Sequence, residues 1–227
     1  MKDRPDIDRW ILSDLQLLIQ AAREAFTSYN THAFCTKAEE FIDDKLSNWY
    51  VRRNRRRLWK SEKGADKQAA YETLYTVLVT LTKLCAPVMP FLCETMYQNL
   101  AAGGTTPGNV DPSPKPQAPP SSVHHCAYPI VDAALIDAQL SQDMDALLRL
   151  VSLGSAARNT VKLKVRQPLG AMIVWSDDEQ VRNAARRFAD QLCDELNIKE
   201  VTVQYDPEQW PPLTWELLPN MKAVGAV

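Results

Sequence analysis

Residues 34–59 read FCTKAEEFIDDKLSNWYVRRNRRRLW. Phe34, Ala38, Phe41, Ile42 and Trp49 recur at helical spacing, while Glu39, Glu40, Asp43 and Asp44 mostly fall off that face. This predicts an amphipathic helix that begins near Thr31. The acids occupy its first half and the arginines its second, which suits the helix dipole. At about 100° per residue, the stripe Phe34, Phe41, Trp49 runs on into Arg52, Arg56 and Trp59. A face that packs a core cannot turn basic unless the helix end projects past the bundle or its arginines meet carboxylates, because bare buried charge is costly. Arg53, Arg55 and Arg57 spread further charge around the remaining circumference.

Two readings of this basic end stay open on chemistry alone. In one, it is a solvated helix terminus whose arginine stems pack on Trp49 and Trp59 and whose heads pair with nearby acids. In the other, guanidinium forks match phosphate and the rings offer platforms for bases, which makes a nucleic-acid surface. The paired acids Glu39, Glu40, Asp43 and Asp44 read as a solvated face and dipole partners, not as acid/base machinery.

Working outward, Ile7, Ile11, Leu15, Leu18, Ala22 and Ala25 form the stripe of a helix over residues 7–26. Ala70, Leu74, Val77, Leu78 and Leu81 mark another from about Lys67 to Leu84, which Pro87 and Pro90 should end or kink. Phe91, Met96, Tyr97 and Leu100 carry a fourth. Residues 101–122 hold six of the fifteen prolines and three of the seven glycines, with no apolar period. That composition reads as a linker or insertion.

Leu140, Met144, Leu147, Leu148 and Val151 predict a helix reaching about Thr160. The period then changes: AMIVW (171–175) reads as a strand, 177–196 as a helix opening on acids, and NIKEVTVQY (197–205) as an alternating strand. The tail from Asp206, with four prolines, reads as irregular. The expected fold is therefore mainly α. A helical bundle covers 1–160 with its insertion at about 101–122, and a small α/β module with an irregular tail covers 161–227. In VKLKVRQPL (161–169), Lys162, Lys164 and Arg166 alternate. They read either as an edge strand guarded by lysines or as a second RNA contact, and the edge strand is favoured.

Composition narrows the function. A formal net charge of −2 excludes a polycation, so any affinity for a polyanion must be local. No apolar run reaches the ~18 residues of a membrane span, and the start lacks a signal-peptide core, so a cytoplasmic location is expected. Five scattered cysteines without zinc spacing fit reduced thiols, and the adjacent His124, His125 and Cys126 read as a loop. There is no Gly-rich phosphate loop, nucleophile–base pair or metal-ligand spacing, so the chain reads as a helical binding module without catalytic residues.

Several stretches together carry a family resemblance. DIDRWILSDLQLLI (6–19), EFIDDKLSNWYVRRNRRRLWK (40–60) and KQAAYETLYTVLVTLTKLCAPVMPFLCETMYQNL (67–100) resemble the helical anticodon-binding domain of the class I isoleucyl-tRNA synthetase family. SVHHCAYP (122–129), LGSAARNTVKLKVRQPL (153–169), DELNIKEV (194–201) and LLPNMKAVG (217–225) resemble the segments that follow it. Valyl-type synthetases share the architecture and are the nearest alternative. A helical protein-interaction module with a solvated basic helix end is the alternative of another class.

The resemblance implies a piece of an ATP- and Mg-dependent ligase that attaches isoleucine to its tRNA. The ATP-binding signatures of the HIGH and KMSKS types and the editing domain do not occur here, so the fragment is expected to be non-catalytic and to hold no cofactor. Its implied partners are isoleucine tRNA and the catalytic and editing domains of the same parent chain. Its implied RNA-binding residues are Arg52, Arg53, Arg55 and Arg56 on phosphate or base edges, Trp49 or Trp59 as a stacking ring, and Asn48 on a base edge. Arg52, which shares the face of Phe41, is the one expected to be partly structural.

Overall fold

A proline at position 5 fixes the backbone ahead of the first helix, α1 (Asp6–Thr27), whose first turn carries Asp6 and Asp8. The computed structural model describes residues 4–59, 64–101 and 120–204. The expected insertion at 101–122 and the irregular tail lie mostly or wholly outside them. The chain forms two compact units, Met1–Gln142 and Asp143–Val227.

In the first unit α1 is buried more completely than its stripe suggests. Trp10, Ile11, Leu12, Leu15, Leu18 and Ile19 are buried, and so are the polar Asp8, Ser13, Asp14 and Gln16. A helix covered on most sides is a central one. Most of its buried polar side chains are engaged, as burial favours. Ser13 Oγ accepts the Asp137 N–H at 2.9 Å and Gln16 Oε1 accepts that of Asp132 at 2.9 Å. Lys45 Nζ lies 2.6 Å from Asp14 Oδ2.

The unit also holds α2 (Thr31–Glu40), α3 (Arg52–Trp59), α4 (Ala65–Cys85) and α5 (Pro90–Leu100); α2 and α4 pack against α1, and α3 and α5 pack against α4. Asn30 caps α2 by accepting the Ala33 N–H at 3.1 Å. Pro90 opens α5 at its first position, and the Val88 and Met89 amides both close on the Cys85 carbonyl, at 2.9 and 2.8 Å. The proline break thus falls where the sequence places it. All five cysteines are free, and burial pushes the Cys85 thiol up to about 11.

The segment after the insertion is laid across these helices. Glu94 of α5 accepts from Ser122 Oγ at 2.8 Å and from the Val123 N–H at 3.0 Å. Tyr128 packs edge-on against Phe26, with ring centres 5.9 Å apart, and donates to the Leu84 carbonyl. The hydrogen bond from Gln98, then that from Ser122, holds the Glu94 carboxyl below its usual 4.5. A depressed carboxyl stabilises above its ordinary value and loses that contribution as pH falls through the folded one. The Val123 amide resonance should therefore titrate with a midpoint below 4.5, and in Glu94→Gln this titration should vanish. NMR over acidic pH checks both.

The helix α6 (Ala138–Thr160) holds the division between the units within its first two turns. The sequence places that boundary at 160/161, where the apolar period changes, but residues 143–160 pack with the α/β elements. Arg158, itself buried, donates to the carbonyls of Lys164 (3.2 Å), Gln167 (3.0 Å), Leu196 (2.6 Å) and Asn197 (3.2 Å). A Cβ on Gly154 would come within 2.4 Å of Leu196 Cδ1. Gly154→Ala should therefore force a repacking that costs about 1–3 kcal/mol, read as a lower denaturation midpoint of this unit.

The second unit pairs β1 (Leu169–Trp175) in parallel with β2 (Ile198–Gln204), Leu169 opposite Ile198 and Trp175 opposite Gln204. The crossover carries two helices, α7 (Glu179–Arg187) and α8 (Ala189–Leu196), where the sequence suggests one. Buried Phe188, at φ −110° and ψ 25°, breaks the run, and Asn197 ends α8 in the left-handed region at φ 48°. Residues 161–168 are turns and loop, so the favoured edge-strand reading of 161–169 is corrected. The carbonyls of Lys164 and Gln167 bond Arg158 instead of a neighbouring strand.

Candidate nucleic-acid interface

The basic stretch stands on α3, and the helix leading into it is not uniform. Between α2 and α3 the backbone over Phe41–Val51 winds in wide i→i+5 turns. Each such turn takes more residues than an α-turn, so the face drawn at 3.6 residues per turn does not carry through. Phe41, Leu46, Trp49 and Tyr50 are buried along this segment, and beyond it Asn54 and Leu58 point inward. Arg52, Arg55 and Arg56 are exposed. The expectation that Arg52 shares the core face of Phe41 is corrected by this shift of phase.

The structural arginine is Arg57. Its Nη1 and Nη2 grip Asp8 Oδ1 and Oδ2, both at 3.0 Å, and Asp8 is fully buried. Nε and Nη2 grip Asp66 Oδ2 and Oδ1 at 2.9 and 2.6 Å, and Nη1 also reaches Asn54 Oδ1 at 2.8 Å. Tyr50 donates its hydroxyl to Asp8 Oδ1 at 2.8 Å. Two forked pairs on one guanidinium are the strong form of this interaction.

The electrostatics agree. Burial pulls the Arg57 guanidinium down, but hydrogen bonds to Asp8 and Asp66 outweigh it and raise it further above its normal range. The bond from Arg57 lowers the Asp66 carboxyl, and burial, then Asp8, raises the Tyr50 hydroxyl. The reading in which arginine heads pair with nearby acids thus holds for Arg57, which meets carboxylates as burial requires, while Arg52, Arg55 and Arg56 face outward.

The remaining residues divide by exposure. Trp49 is 2% exposed, with the Arg52 and Arg53 guanidiniums 5.9 and 5.3 Å from its ring centre. A ring so covered cannot stack on a base, and Trp49 is corrected from a stacking platform to a core residue. Trp59 is 70% exposed, and Arg55 lies 4.8 Å from its ring centre. Asn48 is exposed, and its carbonyl accepts Arg52 Nε at 2.7 Å. Asn48, Arg52, Arg55, Arg56 and Trp59 therefore present a cationic, partly aromatic surface, with Arg53 half-buried beside it.

Lys162, Lys164 and Arg166 are exposed in the second unit, Lys162 at φ 55°. Sequence reasoning missed Asp8 and Asp66. For Asp8 the one available signal was a carboxylate between Ile7 and Ile11 of the apolar stripe; nothing in the sequence marks Asp66. Among the described residues no group of three or more His, Cys, Asp or Glu could hold a metal ion. Among them, too, no helix is long and apolar enough to cross a membrane.

Comparison with known proteins gives this geometry a context. Residues 8–173 match the family model for the anticodon-binding domain of tRNA ligases. The chain is 40% identical over 222 residues to the isoleucine–tRNA ligase of Thermus thermophilus, covering 98% of this chain and 20% of that protein. It is 42% identical over 200 residues to the isoleucine–tRNA ligase of Dehalococcoides mccartyi, covering 88% and 18%. With that of Methanosarcina barkeri it shares 37% over 220 residues, covering 97% and 20%. The chain thus spans about a fifth of the length of the curated relatives it matches.

Proposed function

The chain belongs to the anticodon-binding domain family of tRNA ligases, and from that premise we propose that it is the tRNA-binding part of an isoleucine–tRNA ligase, contacting the anticodon stem-loop through the exposed end of α3. The single observation that carries this reading is the sorting of the arginines. Arg57 is consumed by carboxylates, whereas Arg55 and Arg56 stand exposed beside an exposed tryptophan.

Arg55 and Arg56 take phosphate oxygens, with Arg52 and Arg53 adding charge around the buried Trp49. Trp59 supplies the stacking ring, and Asn48 offers an amide to a base edge. Lys162, Lys164 and Arg166 make a secondary backbone contact. In the parent protein this binding positions the tRNA for ATP- and Mg-dependent attachment of isoleucine, by catalytic and editing domains of the same chain. The fragment itself binds RNA without catalysis or cofactor, and it acts in the cytoplasm.

The experiment is a fluorescence-anisotropy titration with an isoleucine tRNA transcript and with the same tRNA carrying a swapped anticodon, at two salt concentrations. Tighter binding to the cognate anticodon is the expected result. Equal binding to both would confine the fragment to backbone electrostatics, and no binding to either would refute the proposal.

A further inference from the structure

Eight residues of helix with only Asn54 and Leu58 buried cannot fix their own rotation by packing. Yet the exposed surface of α3 depends on that rotation, since Arg55, Arg56 and Trp59 must face outward together. The wide-turn segment before α3 enters it at a phase different from that of a regular α-helix, so the outward face must be held by contacts beyond the helix itself. What ties α3 down is the guanidinium of Arg57, one residue from Arg56 and two from both Arg55 and Trp59.

We infer that Asp66, acting through Arg57 against the fixed carboxylate of Asp8, is a positioning residue for RNA binding. Asp8 belongs to α1 and Asp66 to the first turn of α4, so the Arg57 plane is clamped between two separate helices. All three of its nitrogens are engaged. Tyr71 of α4 adds a second tie by donating to the Leu58 carbonyl at 2.9 Å. The two carboxylates differ in kind. The Asp8 side chain is fully buried and holds the fold, whereas that of Asp66 is 58% exposed and can be changed without opening the core. This inference rests on the RNA-binding reading above.

The test exploits the sign of a charge change. Asp66→Asn removes a negative charge near a surface meant for a polyanion, and by electrostatics alone RNA should then bind more tightly. A positioning role predicts the opposite. If the ordered fraction of α3 falls to between a third and a tenth, affinity for the tRNA transcript falls about three- to tenfold. The salt dependence stays unchanged, because the bound state keeps the same phosphate contacts. Asp66→Glu, which retains the carboxylate, should recover most of the affinity.

Amide hydrogen exchange of α3, measured without RNA, separates the two layers of the argument. Faster exchange confined to α3 in Asp66→Asn, with weaker RNA binding, supports the inference. Unchanged exchange, or binding equal to or tighter than the unaltered chain, overturns it. Faster exchange in a chain whose unaltered form binds no RNA leaves a structural clamp, and refutes the RNA role together with the proposed function.

Discussion

Arg57→Ala is expected to lower the unfolding free energy of the first unit by about 3–5 kcal/mol, because it strands the fully buried carboxylate of Asp8 without its counter-charge. Tyr50 would remain as a donor, but one neutral hydroxyl does not replace two charge-assisted bonds. Urea titration followed by circular dichroism reads the loss directly. A second variant keeps the cause testable. Replacing the three members together by Asp8→Leu, Arg57→Leu and Tyr50→Phe removes charge and partner at once, and it should cost much less than Arg57→Ala alone. Equal losses would mean that packing, not stranded charge, sets the effect.

The largest effect on binding is expected from Arg55→Ala with Arg56→Ala. Each phosphate contact to RNA contributes a salt slope of about 0.7–0.9, worth roughly five- to eightfold in affinity at 0.1 M salt. Losing both should weaken tRNA binding by about 25- to 60-fold there and lower the slope by about 1.4 to 1.8. Both residues are exposed, so the fold should be unaffected. Trp59→Ala provides the contrast: loss of a stacking ring costs about 1–3 kcal/mol of binding with the slope unchanged. If the double variant keeps the full slope, its arginines touch no phosphate.

Much of this organisation was legible in the sequence because helices announce themselves by period and caps. The starts near Thr31 and at Pro90, the strands at 171–175 and 197–205, and the switch from bundle to α/β all follow from spacing and breakers. Part of what failed has one cause. A helical wheel assumes constant pitch, and the wide turns at Phe41–Val51 violate it, so the wheel sets Arg52 on the core face and leaves Arg57 among the spread charges. The stacking role of Trp49 comes from the family resemblance and not from the wheel, which keeps that ring on the core face. Long-range pairing is equally silent in a linear pattern. Nothing near Asp8 or Asp66 in the chain indicates that they meet on Arg57, 49 and 9 residues away. Nor does the sequence single out Arg158, which holds four carbonyls of the second unit.

The family assignment and the site have different foundations. Residues 8–173 place the chain among anticodon-binding domains by likeness. The division of labour among its arginines follows instead from which carboxylates stand within reach. That division can be examined without reference to any relative.

The most direct measurement is an NMR titration of the ¹⁵N-labelled chain with an isoleucine anticodon stem-loop, following amide and arginine side-chain resonances together. The largest shifts should fall on residues 52–59, with the Arg55 and Arg56 side chains and the Trp59 indole moving and the Arg57 side chain held still. Shifts that instead gather at residues 161–168, or that move Arg57 while leaving Arg55, Arg56 and Trp59 unchanged, would contradict the assignment of this surface.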